Sequence, residues 1–453
     1  MDDAKSLWQW WQSLLLGFGA AFTRPGWVRF VQWVTGTVLC WEKHTITQIL
    51  VSMGMASRWR VLEHFAEYGA WRREAVEQQT IRLIEQEHAA RYGGYHPVAL
   101  DDTKLLRTSE EVWGTCTFFE SSARSPNRAE TVRAHNWVVL GDLIPGEPWA
   151  YLPHSARLYF RRKQLPRGEH FRTKTALTVE LLRQVDGGSA APILAVFDGA
   201  YATRSVVRPC LKPAPGQRRI DIVTRLRIDA RLYAPVTPEP PRRGRKRTWG
   251  QRLPAPQRHQ EWSVGGKKGN AYVYGKQRKI RYQRLECRWS VAGPDEPVHA
   301  YAYQVEGFDD PWFVVTTALT LTPEEVVTLF AARYRQENGF REHKQLMGMQ
   351  ECLAWTKEPV LRTFQVQMVA ITLLRLLQFR LKARFGDNWC TNPTGIGANA
   401  IRHSWTCVAC FGRTATKLRN SYRIWKTLRN SPQTCPHADL PAPRQLKILE
   451  TTD

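Results

Sequence analysis

Acid is scarce in this sequence. Against 65 Lys and Arg stand 41 Asp and Glu, a formal net charge of +24 over 453 residues. The pI is near 9.9. A field of that sign raises affinity for polyanions and steers their encounter, so nucleic acid is the first candidate partner. An uninterrupted apolar run of the ~18 residues that span a bilayer is missing: the stretches at 14–22 and 368–377 are short or carry arginine. A membrane partner is therefore not expected. Met1-Asp2-Asp3 lacks the basic start and apolar core of a secretory leader, which makes the cytoplasm the expected compartment. Cysteine is sparse, nine residues without a framework spacing, and reads as reduced thiols. Tryptophan, at 19, is abundant; most should be core or interface anchors, and a few could stack on bases.

The most informative stretch is residues 330–344, FAARYRQENGFREHK. Thr322-Pro323-Glu324-Glu325 ahead of it is a helix start, a capping residue followed by a first-turn proline and acids, so the spacing predicts one helix over 323–348. Phe330, Arg333, Glu337, Arg341 and Lys344 then project from one face at about 100° per residue. Taken alone, this is a carboxylate among cations on a helix surface, worth a few tenths of a kcal/mol per pair. The same pattern, an aromatic, Arg, Glu and Lys at these intervals, resembles the signature helix of bacterial DDE transposases. The departure is Phe330, where the family usually has Tyr. The resemblance implies that Glu337 is the last of three metal-binding acids.

Upstream, residues 95–100 read as a buried strand that ends in Asp101-Asp102-Thr103, and residues 192–197 as another that ends in Asp198. Strands at 136–144 and 149–160 and a helix at 171–185 lie between them. This order is that of a ribonuclease-H-like fold: an α/β mixed sheet, interrupted by a β-rich insertion and flanked by helical N- and C-terminal regions. Residues 220–234 continue as a strand. The expected division is a helical DNA-binding domain at 1–92, a catalytic core at 93–235, a basic loop and β-rich insertion at 236–310, the last core strand and signature helix at 311–350, and a helical basic region at 351–453.

Several segments suggest DNA contacts. In the first domain, a helix at 45–53, a break at Gly54, and a second helix capped by Ser57 and bearing Arg58 and Arg60 suggest a helix-turn-helix. Arg242, Arg243, Arg245, Lys246 and Arg247 sit in a proline-rich, acid-poor stretch suited either to tracking a phosphate backbone or to a solvated linker. The resemblance further implies phosphate contacts from Arg333 and Lys344, with Arg341 on the same stripe, and a base-stacking tryptophan in the insertion; Trp249, Trp262 and Trp289 are the candidates. Cys407 and Cys410 have the spacing of half a zinc site. Cys390, His403, Cys435 and His437 do not form a regular second half, so structural zinc is not expected.

Three carboxylates brought together repel one another unless divalent cations compensate them. The trio Asp101, Asp198 and Glu337 therefore makes sense as a catalytic oxygen-ligand site for two Mg²⁺ ions, with Mn²⁺ able to substitute. Neighbouring residues of a regular strand face opposite sides, so only one of Asp101 and Asp102 can belong to the site. Asp101 fits the family's spacing to Thr103, and Asp102 is the alternative. The implied activity is cleavage of element ends and joining of 3′ ends to target double-stranded DNA by a homodimer at the bacterial nucleoid. A metal-dependent nuclease without strand transfer and a noncatalytic DNA-binding regulator are the alternatives.

Overall fold

The computed structural model describes residues 2–120, 131–236, 247–262 and 266–385, with side chains from residue 8 to residue 384. Arg242, Arg243, Arg245, Lys246 and the cysteines and histidines between 390 and 437 lie outside the described residues. Five helices come first: α1 (Asp2–Leu16), α2 (Arg24–Leu39), α3 (Ile46–Ser52), α4 (Trp59–Tyr68) and α5 (Arg73–His88). The Thr45 hydroxyl caps α3 by accepting from the Gln48 amide, and Gly54 at φ +69° ends the turn after it. Ser57 does not cap the next helix. A short 3₁₀ turn, Ala56–Arg58, feeds directly into α4, so the turn's own hydrogen bonds take the place of a side-chain cap.

Strands and helices then follow as β1 (His96–Leu106), β2 (Cys116–Phe119), β3 (Thr131–Ile144), β4 (Ala150–Tyr159), α6 (Lys174–Asp186), β5 (Ile193–Phe197), α7 (Arg204–Leu211), β6 (Asp221–Arg225) and β7 (Leu232–Tyr233). After them come β8 (Lys267–Val273), β9 (Lys276–Trp289), β10 (Pro297–Val305), β11 (Trp312–Thr316), α8 (Pro323–Ala332), α9 (Tyr334–Leu346) and α10 (Lys357–Phe385). The sheet core runs β3, β1, β5, β6; β3 is antiparallel to β1, β1, β5 and β6 are parallel, and β4 lies on the far side of β3. That order and polarity define a ribonuclease-H-like core. Further strands extend this sheet: β11 pairs with β6, and β10, β9 and β7 follow in order, with β8 also on β9.

Three differences from the sequence reading have local causes. β1 runs past Asp101 to Leu106 because β3 pairs with it over that whole length, whereas its parallel pairing with β5 stops at Leu100 and Phe197. The strand expected at 220–234 divides into β6 and β7, which pair with different partners, β5 and β9. The helix expected at 323–348 is interrupted at Arg333, where the Gln336 amide bonds to the Arg333 carbonyl three residues back. The helix start does form: the Thr322 hydroxyl accepts from the Glu325 amide while the Glu325 carboxylate accepts from the Thr322 amide, a capping box.

Strand alternation splits the core onto the two faces of the sheet. Ala99, Val139, Val196 and Val223 pack with Val326, Val327 and Leu329 of α8 and Phe364 of α10; Val98, Leu100, Val138 and Phe197 pack with Leu177 and Leu181 of α6 and Val206 of α7. A third cluster joins Trp11, Phe30, Trp33, Leu50, Phe65 and Ile84 of the first five helices to Val366, Leu373 and Leu377 of α10. By length and composition α10 could cross a membrane, yet 94% of its apolar window is buried within the protein. Its central charge, Arg375, pairs with Glu342 of α9, which fixes the two helices to each other.

Candidate active site

Leu100 of β1 and Phe197 of β5 are the last registered pair of the two parallel strands, and the next residue on each is an acid, Asp101 and Asp198. Asp101 shares the face of Ala99, and Asp198 that of Val196, so both belong to the side of the sheet covered by α8 and α9. Glu337, in the first turn of α9, faces the same place. The Arg333 guanidinium joins the elements: Nη2 donates to Glu337 Oε1 at 2.9 Å, and Nη1 lies 3.6 Å from Asp101 Oδ2. Exposure falls from 45% for the Glu337 side chain to 25% for Asp101 and 15% for Arg333.

Burial pushes the Asp101 carboxyl up to about 6, and the charges of Asp102 and Asp198 push the same way against a bond from the Asp102 amide and the pull of Arg333. The local excess of negative charge is thus already felt by Asp101. Asp102 turns to the opposite face. There the Lys174 ammonium at the start of α6 donates to Oδ2 and the Tyr201 phenol donates to Oδ1, each at 2.7 Å, so both carboxylate oxygens serve the packing of α6 and the 199–203 turn.

α9 is held over Asp101 by a residue whose polarity reads as solvent-facing in sequence. Gln336 is fully buried, and its Nε2 lies 3.2 Å from the Val139 carbonyl, 3.4 Å from that of Ala99 and 3.1 Å from the Tyr151 hydroxyl. Gly339, one turn on, has no room for a side chain: a Cβ would come 2.8 Å from the Tyr151 ring. Tyr274 is a second residue the sequence did not single out. At the β8–β9 turn it holds φ +50°, with its ring edge-on to Tyr334 at 5.1 Å. Burial pushes its phenol up, Arg333 pulls it down and Glu337 pushes it up again, which sets the ring beside the carboxylate cluster. Only the positive φ demanded by the tight turn before Gly275 hints at it in sequence.

The other sequence candidates are distributed more widely. Lys344 is half-buried, which lowers its ammonium pKa against the pull of Glu120, and Arg341 is exposed. Arg60 is exposed with its guanidinium over the Trp59 ring, Arg58 is half-buried, and Arg247 is exposed. Two of the three tryptophans are buried and the third is half-buried. Trp262 and Trp289 are buried in the cluster on the α6 and α7 side, and Trp249 packs on Tyr233 at 4.6 Å. The apolar area of Trp262 and Trp289 is used in packing.

A mixed sheet of this order with acids at adjoining positions of its two central parallel strands belongs to the class of polynucleotide-cutting, ribonuclease-H-like enzymes. The model of the DDE superfamily endonuclease family matches residues 17–290, more than half of the chain. This protein belongs to that family, which makes it a nuclease- or transposase-type enzyme with DNA as substrate. The match includes Asp101 and Asp198 and stops short of Glu337. No curated protein matches the chain. Endonucleases of the superfamily generally use divalent metals. The donor set here fits them, since Asp101, Asp198 and Glu337 offer only hard oxygen ligands. Among the described residues no three acidic, His or Cys side chains converge closely enough to hold an ion as they stand.

Proposed function

We propose that this chain is the DDE transposase of a bacterial insertion sequence, which binds the inverted-repeat ends of its element, cleaves them and joins the 3′ ends to target DNA. The observation that carries this reading is the Arg333 junction, which ties Glu337 to Asp101 beside Asp198. In this reading the three acids hold two Mg²⁺ ions, with Mn²⁺ able to substitute. When bound, such ions lower the pKa of an attacking water or 3′ hydroxyl and stabilise the leaving oxygen at phosphorus.

The chain's own side chains bind and orient the substrate. Arg333 offers a fork and Lys344 a point charge to the phosphates flanking the scissile bond, with Arg341 further along the helix. Arg58 and Arg60 in the 1–92 region contact the element ends, and the segment from Arg242 to Arg247 follows the backbone. Two copies of the chain act together in the cytoplasm, at the nucleoid. The test is incubation with labelled element ends and a supercoiled target in Mg²⁺: transposition gives joined products, whereas cut ends without joining identify a nuclease. Glu337→Gln keeps the side-chain volume and removes the charge, so cleavage should fall by orders of magnitude while end binding persists. Near-normal cleavage by that variant removes the reading.

A further inference from the structure

We infer that Arg333 is the resident counterion of the metal-free site and must withdraw before Asp101 and Glu337 accept a divalent cation, so that a DNA phosphodiester, by capturing this guanidinium, loads the site. The inference rests on the reading of these two acids as metal ligands. One guanidinium already spans them, at 2.9 Å from Glu337 and 3.6 Å from Asp101. A cation placed between the two carboxylates would face a full like charge at contact range, so the two positive groups exclude each other. The described acids do not close around an ion by themselves, and it is Arg333 that stands between two of them.

Two further features suit Arg333 to leave. Its Nε is buried without a hydrogen-bond partner, so in this position that edge of the guanidinium is unsatisfied, and turning out of the site exposes it. A phosphodiester accepts from such an edge in bidentate fashion, which a pair of separated carboxylates does not permit. The residue also stands where α8 passes into α9 with helical backbone dihedrals (φ −51°, ψ −32°), so its side chain can turn about its own χ angles with no change in either helix. Linkage then makes the effect reciprocal: a phosphodiester that engages Arg333 raises metal affinity, and a bound metal raises affinity for the phosphodiester by the same factor.

Mn²⁺ binding to the full chain without DNA, read from the electron paramagnetic resonance of free Mn²⁺, tests this independently of cleavage. Arg333→Gln should bind Mn²⁺ about tenfold more tightly than the unaltered chain, and Glu337→Gln more weakly. Dimethyl phosphate, added as a bare phosphodiester, should raise the Mn²⁺ affinity of the unaltered chain and leave that of Arg333→Gln unchanged. Equal affinity in Arg333→Gln and the unaltered chain, with Glu337→Gln still weakened, overturns the counterion role and leaves the metal site standing. No loss in Glu337→Gln overturns the metal-site reading itself. Should Arg333→Gln fail to fold, the dimethyl phosphate effect on the unaltered chain decides alone, and its absence overturns the inference.

Discussion

Gln336 places its side-chain amide 3.2 Å from the carbonyl oxygen of Val139, and through that one buried contact the residue before Glu337 is fastened to the strand beside Asp101. Replacing Gln336 with Leu keeps the volume but leaves the Val139 and Ala99 carbonyls without this donor. A loss of about 1–3 kcal/mol is expected, visible as a lower urea midpoint. Cleavage should fall further than DNA binding, because α9 is no longer held in place. Equal losses in both would show that the contact serves stability alone.

Asp101 and Asp102 should separate cleanly. Asp101→Asn is expected to abolish cleavage in Mg²⁺ and in Mn²⁺. Asp102→Asn loses a charge-assisted bond to Lys174 and weakens the bond to Tyr201, so it should cost about 1–3 kcal/mol of stability and keep cleavage. Single-turnover cleavage and denaturation on the same preparations measure both, and an active Asp101→Asn beside an inert Asp102→Asn reverses the assignment.

The raised pKa of Asp101 has a signed consequence for the metal-free fold. The folded carboxyl binds its proton more tightly than the unfolded one, whose value is 3.8, so its contribution to stability is greatest in acid and declines as pH rises from 3.8 to about 6. The decline amounts to about 3 kcal/mol. Urea titrations in EDTA across that window should show it, and Asp101→Asn should remove it.

A buried cluster at the other end of β1 acts in both senses. His96 Nε2 lies 2.9 Å from Asp142 Oδ1, with His154 Nε2 at 3.3 Å from the same oxygen. Burial works against both charges. Asp142 nonetheless carries His96 above its usual range, and the two histidines hold Asp142 well below its own. The Asp142 contribution is present above 3.8 and lost as pH falls towards its depressed value. That of His96 is present below 6.5 and lost as pH rises through its raised value. Asp142→Asn should cost about 3–5 kcal/mol near pH 5.5, where both are in force. A cost under 1 kcal/mol would mean that the pair is no better than its desolvation.

The basic segment predicts a salt effect. Replacing Arg242, Arg243, Arg245, Lys246 and Arg247 together with Gln should flatten the dependence of DNA affinity on salt, by about 0.9 in log–log slope for each phosphate that is no longer neutralised. Binding isotherms at several salt concentrations measure it, and an unchanged slope marks the segment as a linker.

Much of the fold was legible because it rests on local signals. Thr322 to Glu325 spelled the start of α8, the apolar runs before Asp101 and Asp198 spelled buried strands, and the period of residues 361–385 spelled most of α10. What could not be read depends on partners distant in the chain. Leu106 ends β1 only because β3 continues beside it, and β8, β9 and β10 share the core sheet only because β11 finds β6. In the site, alternation placed Asp101 and Ala99 together as expected, but Gln336 looked like any polar residue of a helix until Val139 and Tyr151 stood beneath it. His96, Asp142 and His154 likewise lie on three strands, with no spacing to announce them.

The joint core of the first five helices and α10 also governs how this chain is made. Trp11, Phe30, Trp33 and Phe65 are translated some 300 residues before Val366, Leu373 and Leu377, the side chains that cover them. Throughout that interval the nascent N-terminal helices carry an open apolar face outside the ribosome, where chaperones and proteases have access to it. A product that stops before Lys357 would carry every strand of the sheet but lack the helix that covers Trp11, Phe30, Trp33 and Phe65, and an apolar face left open in this way favours aggregation and proteolysis.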